Sequence, residues 1–320
     1  MNASNPVVCA GVVVADHLCS PVDHLPQAGE LVAADDLVLN IGGCASNAAM
    51  NLARLGVRSS ILGKIGDDVF GKFVAETLAK AHVDVDRLVV DPSLPTSQTL
   101  IVNVKGQDRR FIHSFGANKA LTVEDLDPAL SANPKVFYLG GYLILPGLDP
   151  HALANRFAQA RSRGTVIVLD VATPGPGDYL RQLEPVLPHT DIFLPNEDEA
   201  KLILNDPDPR RQASAFHQLG AKHVVITRGS QGVVAVSDTL QIELEAYPVE
   251  FVDGSGGGDA FDAGYITGLI EGLDETQRLL LASAVGASCV RAVGATAGVF
   301  TRQEAQDFID RHPAVIKSLG

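Results

Sequence analysis

Short apolar runs alternate with longer segments of helical spacing along most of the chain. Most of these runs are apolar at every position, as strands buried on both faces of a sheet are. The longer segments, such as residues 150–163 and 209–219, repeat apolar residues with the period of a helix. This alternation predicts βαβ units and a mostly parallel sheet with helices on both faces. The predicted strands lie in residues 7–15, 135–139, 165–171, 191–194 and 223–227.

Two segments, residues 16–41 and 99–114, depart from this alternation because polar residues interrupt their short apolar runs. In the second, a polar turn at residues 105–108 separates two apolar runs, a pattern typical of a β-hairpin. The segments could be irregular loops of the main sheet, or they could pair into a small sheet that projects from it. We favour the small sheet, which would act as a lid over a large α/β domain. That domain would comprise residues 1–15, 42–98 and 115–320.

The composition is that of an ordinary globular protein. The 320 residues are 46% hydrophobic and 20% charged, and the net charge is −13. An acidic surface repels nucleic acid and anionic membranes, so we expect neither as a partner. No apolar run approaches the roughly 18 residues that a membrane helix needs, and no basic segment precedes the apolar residues 6–15 as in a signal peptide. We therefore expect a cytoplasmic protein.

The cysteines are too widely spaced to suggest a metal or disulfide framework. They lie at positions 9, 19, 44 and 289 and form no Cys-x-x-Cys pair. This spacing argues against a zinc site and favours free thiols in a reducing compartment.

The most informative segment is residues 252–261, with the sequence Val-Asp-Gly-Ser-Gly-Gly-Gly-Asp-Ala-Phe. It opens into residues 262–272, whose apolar positions predict an amphipathic helix. Glycines leave backbone N–H groups uncovered and the helix dipole adds partial positive charge, so the turn can stabilise an anion without any lysine. Asp259 stands beside the turn and could accept a proton from an attacking hydroxyl. A purely structural alternative is a tight turn in which Asp259 only favours the helix N-terminus.

Five segments in a fixed order resemble the ribokinase-like (PfkB) carbohydrate kinases, whereas the P-loop and dinucleotide glycine patterns do not fit. Residues 253–259 nearly reproduce the family's Asp-x-x-Gly-Ala-Gly-Asp turn. Gly-Gly-Cys-Ala-Ser-Asn at 42–47 matches the family's Gly-Gly-x-x-x-Asn. Residues 63–71, Asn-Glu-Asp-Glu at 196–199 and Thr-Arg-Gly-Ser-Gln-Gly at 227–232 are similar to three further family segments.

The resemblance implies a ribokinase-like three-layer α/β sandwich with a small β-sheet lid, and transfer of the ATP γ-phosphoryl group to a hydroxyl of a small sugar or sugar-like substrate. It implies Asp259 as general base and the N–H groups of Gly256, Gly257 and Gly258 as stabilisers of the phosphoryl charge. The family usually has Thr or a similar residue, and Ala, where this chain has Gly254 and Gly257. Glycine keeps the N–H donors but adds conformational freedom, so we expect a less preorganised turn.

The resemblance also implies which residues hold the sugar. Gly42 and Gly43 would approach it with their backbone, Asn47 would bind it with its amide, and Asp16 would bind its hydroxyls. Asp16 follows the first predicted strand, where the ligand crevice of an α/β sheet lies. Close packing of helix and sheet is the alternative for the glycines, and an exposed loop carboxylate is the alternative for Asp16.

ATP, Mg²⁺ and a K⁺-like ion are the cofactors that the resemblance implies. Asn196 and Glu199 would organise Mg²⁺ and phosphate through water, because Mg²⁺ keeps several of its waters. The K⁺-like ion would lie near Asp253, Ser255 and the carbonyl groups of residues 289–294. Lids pair between subunits in this family, so a homodimer through the lid is a further expectation. The nucleotide pocket would be lined by Thr227, Gly229 and Gly232.

Two alternatives to a sugar kinase remain open. A nucleoside kinase of the adenosine type shares both glycine motifs, and a non-catalytic ligand-binding protein could keep the same fold. Aromatic residues are 5% of the chain and tryptophan is absent, which favours a sugar over a stacked nucleobase, while Asp259 favours an enzyme. Arg109, Arg110 and His113 in the predicted lid hairpin have no assigned role, since charges on edge strands are common.

Overall fold

The structure, a computed structural model, describes residues 6–107 and 109–319. The strands in these residues are β1 (Val7–Gly11), β2 (Val14–Val22), β3 (Leu37–Gly42), β4 (Ser59–Leu62), β5 (Lys64–Gly66), β6 (Val89–Asp91), β7 (Gln98–Val104), β8 (Arg110–Ser114), β9 (Val136–Gly140), β10 (Val166–Leu169), β11 (Ile192–Phe193), β12 (His223–Thr227), β13 (Val233–Ser237), β14 (Gln241–Leu244) and β15 (Ile316–Ser318). The helices are α1 (Cys44–Arg54), α2 (Val69–Lys80), α3 (Val123–Ser131), α4 (Pro150–Ser162), α5 (Leu180–Leu183), α6 (Glu197–Leu204), α7 (Pro209–Gln218), α8 (Gly257–Glu271), α9 (Glu275–Cys289) and α10 (Arg302–Arg311).

The largest sheet has nine strands in the order β15-β14-β13-β12-β11-β10-β9-β1-β4. The six strands from β12 to β4 are parallel, whereas β13, β14 and β15 extend the sheet by antiparallel pairing. All five predicted apolar runs contribute strands to this sheet, and the two predicted helices are α4 and α7. The prediction of a mostly parallel α/β architecture is therefore confirmed.

Successive side chains of the central strands enter two hydrophobic cores, one on each face of the large sheet. In β9, Val136 and Tyr138 enter one core, and Phe137 and Leu139 enter the other. Helices α1, α8 and α9 cover the first core, while α3, α4, α6 and α7 cover the second. The central strands are apolar at every position because both of their faces are buried.

The single strand predicted over residues 7–15 is wrong, because the structure divides it between two sheets. β1 ends at Gly11, and β2 begins at Val14 in the small sheet. At Gly11 the backbone passes so close to Gly140 that a side chain would overlap its carbonyl oxygen. Val12 and the residue after it are also buried, so the apolar run continues through the switch.

The second sheet has four strands in the order β3-β2-β7-β8. β2 pairs antiparallel with β3 and parallel with β7, and β7 pairs with β8 as the expected hairpin. These strands fall largely in the two segments predicted to form a lid. The side chains of Leu37, Phe111 and Ile112 on this sheet are exposed. A third sheet contains only β5 and β6 among the described residues.

Helix α8 begins earlier and is buried more completely than the sequence predicted. Gly257, Gly258 and Asp259 form its first turn, and residues 260–268 are all buried. The helix packs against α1 as well as α9. The helix therefore begins at Gly257 rather than at residue 262. The predicted amphipathic pattern is wrong because neighbouring helices cover more than one face.

The four cysteines are free thiols in the structure, as their spacing predicted. Among the residues that the structure describes, no helix combines the length and the apolar character that crossing a membrane would require.

Candidate active site

The carboxyl ends of β1, β9 and β10 meet the N-termini of α1 and α8 at one edge of the large sheet. Val12, just after β1, donates its N–H to the carbonyl of Gly140 and accepts the N–H of Ala45 in α1, both at 3.2 Å. The N–H of Gly141 donates to the carboxylate of Asp170, directly after β10, at 3.0 Å. Ligands of open α/β sheets bind at this edge.

The glycines before α1 allow close approaches of the protein to itself. A side chain at Gly42 would overlap the carboxylate of Asp16 in β2, and a Cβ at Gly43 would lie 2.5 Å from the carbonyl oxygen of Val12. Gly43 also has a φ of +92°, which favours glycine. Burial raises the pKa of Asp16 to about 6, although a hydrogen bond from Thr99 opposes this rise. Gly42 therefore leaves room for a largely buried carboxylate.

A hydrogen bond joins the two helices that begin at the site. Nδ2 of Asn47 in α1 donates to Oδ2 of Asp259 in α8 at 2.8 Å. Burial raises the pKa of Asp259 above its ordinary value, although hydrogen bonds from Asn47 and Cys44 oppose this rise. Oδ1 of Asn47 is buried and has no hydrogen-bond partner among the described residues. Because buried polar atoms are normally paired, this oxygen is a ready acceptor for a ligand hydroxyl.

The Gly-rich turn leads into the open N-terminus of α8. Gly256 is the N-cap, with a φ of +70°, and Gly257 and Gly258 are the first two helical residues. The first N–H groups of a helix have no acceptor within it and carry the positive end of its dipole. Beyond its own helix, no atom among the described residues lies within 4 Å of the Cβ position at Gly258. The turn therefore presents N–H donors and the Asp259 carboxylate beside open space.

Arg109 joins the small sheet to the Gly-rich turn. Its Nη1 donates to Oδ1 of Asp253 at 2.7 Å and also contacts Oγ of Ser255. Burial alone would raise the pKa of Asp253, but hydrogen bonds from Gly294 and Ser255 and the charge of Arg109 together lower it. The two side chains predicted to bind a K⁺-like ion thus lie together, with an arginine between them and the small sheet.

Further acidic side chains surround Asp259. The oxygen and sulfur atoms of Cys44, Asp170 and Asp259 lie within 4.8 Å of one another. Burial, together with repulsion from Asp262, Glu199 and Asp259, raises the pKa of Asp170 well above its ordinary value. A bound cation would relieve this repulsion between carboxylates.

Asn196 is the N-cap of helix α6 and Glu199 lies in its first turn, close to this cluster. The N–H of Glu199 donates to Oδ1 of Asn196, and the N–H of Asn196 donates to Oε2 of Glu199, both at 2.9 Å. Burial raises the pKa of Glu199 to about 8, opposed by these hydrogen bonds and increased by the charge of Asp259. Asn196 also forms a β-bridge with Thr227 at the end of β12. The structure therefore brings together Asn196, Glu199 and Thr227, three residues predicted to hold Mg²⁺, phosphate or the nucleotide.

The turn after β12 contains the other two residues predicted for the nucleotide pocket. A side chain at Gly232 would overlap the carbonyl oxygen of Leu244, so close packing against β14 accounts for this glycine. Apart from its chain neighbours, no described atom lies within 4 Å of the Cβ position at Gly229. Of the two glycines, Gly229 is the one that leaves space for a ligand.

A cleft of about 230 Å³ lies between the small sheet and the Gly-rich turn. Aliphatic side chains and one aromatic ring, that of Phe111, form part of its lining. The cleft brings predicted substrate residues together with the turn, whereas Asn196, Glu199 and Thr227 are not among its lining residues. Its polar side chains are those of Asp16, Asn40, Asn47, Arg109 and Ser255.

Sequence reasoning missed Asp170 and gave Arg109 no role. A usable signal existed for Asp170, because it is a carboxylate directly after an apolar strand, at the edge where α/β sheets bind ligands. No local signal existed for Arg109, since its partner Asp253 lies 144 positions further along the chain.

Comparison with known proteins identifies the family. Residues 5–302 match the model of the pfkB family of carbohydrate kinases. The chain is 26% identical to ribokinase of Haemophilus influenzae, over 94% of this chain and 97% of that protein. It is 27% identical to 2-dehydro-3-deoxygluconokinase of Bacillus subtilis, over 88% of this chain and 90% of that protein. The crystal structure of an Escherichia coli protein described as a ribokinase II, in complex with ATP and Mg²⁺, is similar with a TM-score of 0.80 at 26% identity, covering 96% of this chain and 100% of that one.

The chain therefore belongs to the pfkB family and is a carbohydrate kinase with the ribokinase fold. The family, the fold and the class of enzyme predicted from the sequence motifs are confirmed.

Proposed function

We propose that this carbohydrate kinase transfers the γ-phosphoryl group of ATP to a hydroxyl of a small sugar, with Asp259 as general base. The observation that carries the proposal is the 2.8 Å hydrogen bond from Asn47 to Asp259 at the open N-terminus of α8. It holds a buried carboxylate next to N–H donors that a charged phosphoryl group can use. The ribokinase relative and the ATP and Mg²⁺ bound to the E. coli protein support the sugar and the nucleotide.

The acceptor sugar would lie in the cleft under the small sheet. Asp16 and the unpaired Oδ1 of Asn47 would accept hydrogen bonds from its hydroxyls. The backbone of Gly42 and Gly43 would close one side of the sugar site at the start of α1. These contacts would hold one hydroxyl within reach of Asp259. Binding would then already have paid much of the entropy cost of bringing the two reactants together.

The transfer is an in-line displacement at the γ-phosphorus. The sugar oxygen forms a bond to phosphorus, the bond from phosphorus to the bridging oxygen of ADP breaks, and the hydroxyl proton passes to Asp259. A raised pKa suits Asp259 to this uptake of a proton. The N–H groups of Gly256, Gly257 and Gly258 would stabilise the phosphoryl charge, and one such donor can contribute about 10²-fold or more.

Asp170 and Glu199 have the donor chemistry that Mg²⁺ requires, namely hard carboxylate oxygens. Burial and neighbouring carboxylates raise the pKa of both groups, so a divalent cation would stabilise their ionised forms. Bound there, Mg²⁺ would offset the charge of the ATP phosphates. The nucleotide side would be completed by Asn196, Thr227, Gly229 and Gly232.

The lining of the cleft favours a sugar over a nucleoside. Five of the side chains that line the cleft are polar, and its lining includes one aromatic ring, that of Phe111. Hydroxyl groups pair well with such a surface, whereas a nucleobase gains most from stacking on rings. The names of the two relatives point to different acceptors, so both sugars and sugar acids are candidates.

The test measures ADP release with Mg·ATP across a panel of sugars, sugar acids and nucleosides, for wild type and Asp259→Asn. Asparagine keeps the size of the side chain but cannot take up the proton, so kcat should fall by about 10²–10⁴-fold. Asp238→Asn is the matched control, because Asp238 is 88% exposed on the turn after β13, and it should keep full activity. Equal activity of Asp259→Asn would exclude this base, and sugar binding without ADP release would favour the non-catalytic alternative.

We also propose that the small sheet is a lid. Closure of this lid over the sugar would exclude water and so limit hydrolysis of ATP. The polar lining, which comes from the small sheet on one side and from α1 and the Gly-rich turn on the other, supports this arrangement. The lid would comprise residues 16–41 and 99–114, and the large domain residues 1–15, 42–98 and 115–320.

The same sheet would carry a homodimer interface. Leu37 and Ile112 are 72% and 68% exposed, and exposed apolar side chains are typical of subunit contacts. Sedimentation velocity should therefore show a dimer that Ile112→Lys dissociates. Val315→Lys is the control, because Val315 is an exposed apolar residue away from this sheet. A monomeric wild type would contradict the proposal.

A further inference from the structure

Arg109 reaches from the small sheet across the cleft to the Gly-rich turn. Its side chain is 26% exposed, and its Nη1 lies 2.7 Å from Oδ1 of Asp253 and contacts Oγ of Ser255. The guanidinium therefore brings a positive charge to the two side chains for which the family resemblance implied a K⁺-like ion.

The oxygens at this position already have partners. Oδ1 of Asp253 accepts the N–H and the hydroxyl of Ser255, each at 2.9 Å, as well as Arg109. Oδ2 of Asp253 accepts the N–H of Gly294 at 2.8 Å. The carbonyl of Val290, in the segment expected to supply further ligands, accepts two backbone N–H groups at 2.8 and 3.1 Å. A cation needs free lone pairs, so Oδ1 of Asp253 and the carbonyl of Val290, whose lone pairs are taken, do not fit a K⁺ ion while the arginine is in place.

Gly254 supplies the room that the guanidinium needs. A Cβ at Gly254 would lie 3.2 Å from Nη2 of Arg109, already a tight contact. A side chain at position 254 would therefore require the guanidinium to shift, whereas the glycine leaves it in place.

We propose that Arg109 is a built-in cation that positions the Gly-rich turn in place of a monovalent metal ion. The inference rests on the proposed function of that turn. The guanidinium keeps its charge at all working pH values, and its hydrogen bonds fix Asp253 and Ser255 directly before Gly256. The kinase then needs no K⁺ to order the N–H groups beside Asp259. Since Arg109 belongs to the predicted lid, the same contact couples the position of the lid to the order of the turn.

The test compares wild type with Arg109→Ala in KCl and in choline chloride of equal ionic strength. Wild type should have the same kcat and the same thermal unfolding midpoint in both salts. Arg109→Ala exposes the Asp253 carboxylate to the solvent cation. In choline its kcat should fall by about tenfold, as expected for loss of a charge-assisted hydrogen bond, with KM for the sugar nearly unchanged. KCl should restore most of that kcat and raise the midpoint of this variant.

Three further variants separate this role from a merely structural one. Arg109→Lys keeps the charge, so it should retain more activity than alanine and stay insensitive to K⁺. Gly254→Thr should displace the guanidinium while Arg109 remains in the chain, and should make the enzyme respond to K⁺. Arg110→Ala is the matched control, because Arg110 is exposed and donates to Gln107. It should behave as wild type does in both salts.

The unfolding midpoint needs no substrate, so it tests Arg109 even if no sugar in the panel is phosphorylated. That outcome would count against the proposed function alone. Activation or stabilisation of the wild type by K⁺ would overturn the proposal. A loss of activity in Arg109→Ala that K⁺ does not reverse, without a K⁺-dependent midpoint, would overturn it as well.

Discussion

The two glycine segments of the site are alike in sequence but differ in what surrounds them. At the first segment the protein fills the space that a side chain would need. The carboxylate of Asp16 occupies it at Gly42, and the carbonyl oxygen of Val12 lies 2.5 Å from the Cβ position at Gly43.

Along the second segment the surroundings open step by step. A side chain at Gly256 would overlap Ala295, and a Cβ at Gly257 would lie 3.1 Å from Val290. Beyond its own helix, Gly258 meets no described atom within 4 Å of its Cβ position. The first segment is therefore glycine because the fold requires it, while the second ends in space that the fold leaves open for a ligand.

Of the substitutions predicted in this section, Gly43→Ala should have the largest effect on stability. Its Cβ would meet a backbone oxygen that cannot move aside, at a φ of +92°. Backbone strain costs about 1–3 kcal/mol and overpacking about 1–3 kcal/mol, so the free energy of unfolding should fall by about 3 kcal/mol. Urea titration measures this loss.

Gly258→Ala is the matched control for that prediction. Alanine is favoured over glycine by up to about 1 kcal/mol within a helix, and the space beside Gly258 is open. Its free energy of unfolding should therefore stay within about 1 kcal/mol of the wild-type value, while kcat falls because the methyl group enters the space of the phosphoryl group. Equal destabilisation by the two substitutions would show that the contrast between the segments is wrong.

Local patterns are what made most of the fold predictable. The strands β9 and β12 are short, largely apolar runs, and the β7–β8 hairpin has a polar turn between two apolar runs. The change of sheet after Gly11 has no such pattern, because its cause is the approach of Gly140 from another strand. A contact between distant parts of the chain decides it.

The same limit applies to the candidate site. The positions of Asp259 and Asn47 could be inferred from motifs, but the hydrogen bond between them joins residues 212 positions apart. Arg109 acquires its significance only from packing, which brings its guanidinium to the Gly-rich turn. The position of Asp170 after a strand could be read from the sequence, but its burial beside other carboxylates could not. Burial of charge depends on tertiary structure and leaves no periodic trace in sequence.

The hydrogen bond from Asn47 to Asp259 connects the two glycine segments, and its loss should have a smaller, pH-dependent effect. The bond stabilises the ionised carboxylate and so opposes the rise of the Asp259 pKa that burial causes. In Asn47→Ala this pKa should therefore rise further. Because a general base acts only when it is ionised, the acid limb of the profile of kcat/KM against pH should move to higher pH.

Asn51→Ala is the control for this shift. Asn51 is buried one turn later in α1, and its amide has no hydrogen-bond partner among the described residues, so its acid limb should not move. The stability of Asn47→Ala should also fall relative to wild type as the pH rises, because a raised folded-state pKa disfavours the ionised carboxylate. Asn47→Ala should match wild type best in acid and lose stability relative to it as the pH rises through the folded-state pKa of Asp259, which lies above 3.8, the ordinary pKa of an aspartate. An acid limb that stays in place would mean that ionisation of Asp259 does not limit the rate, and that the two segments act independently.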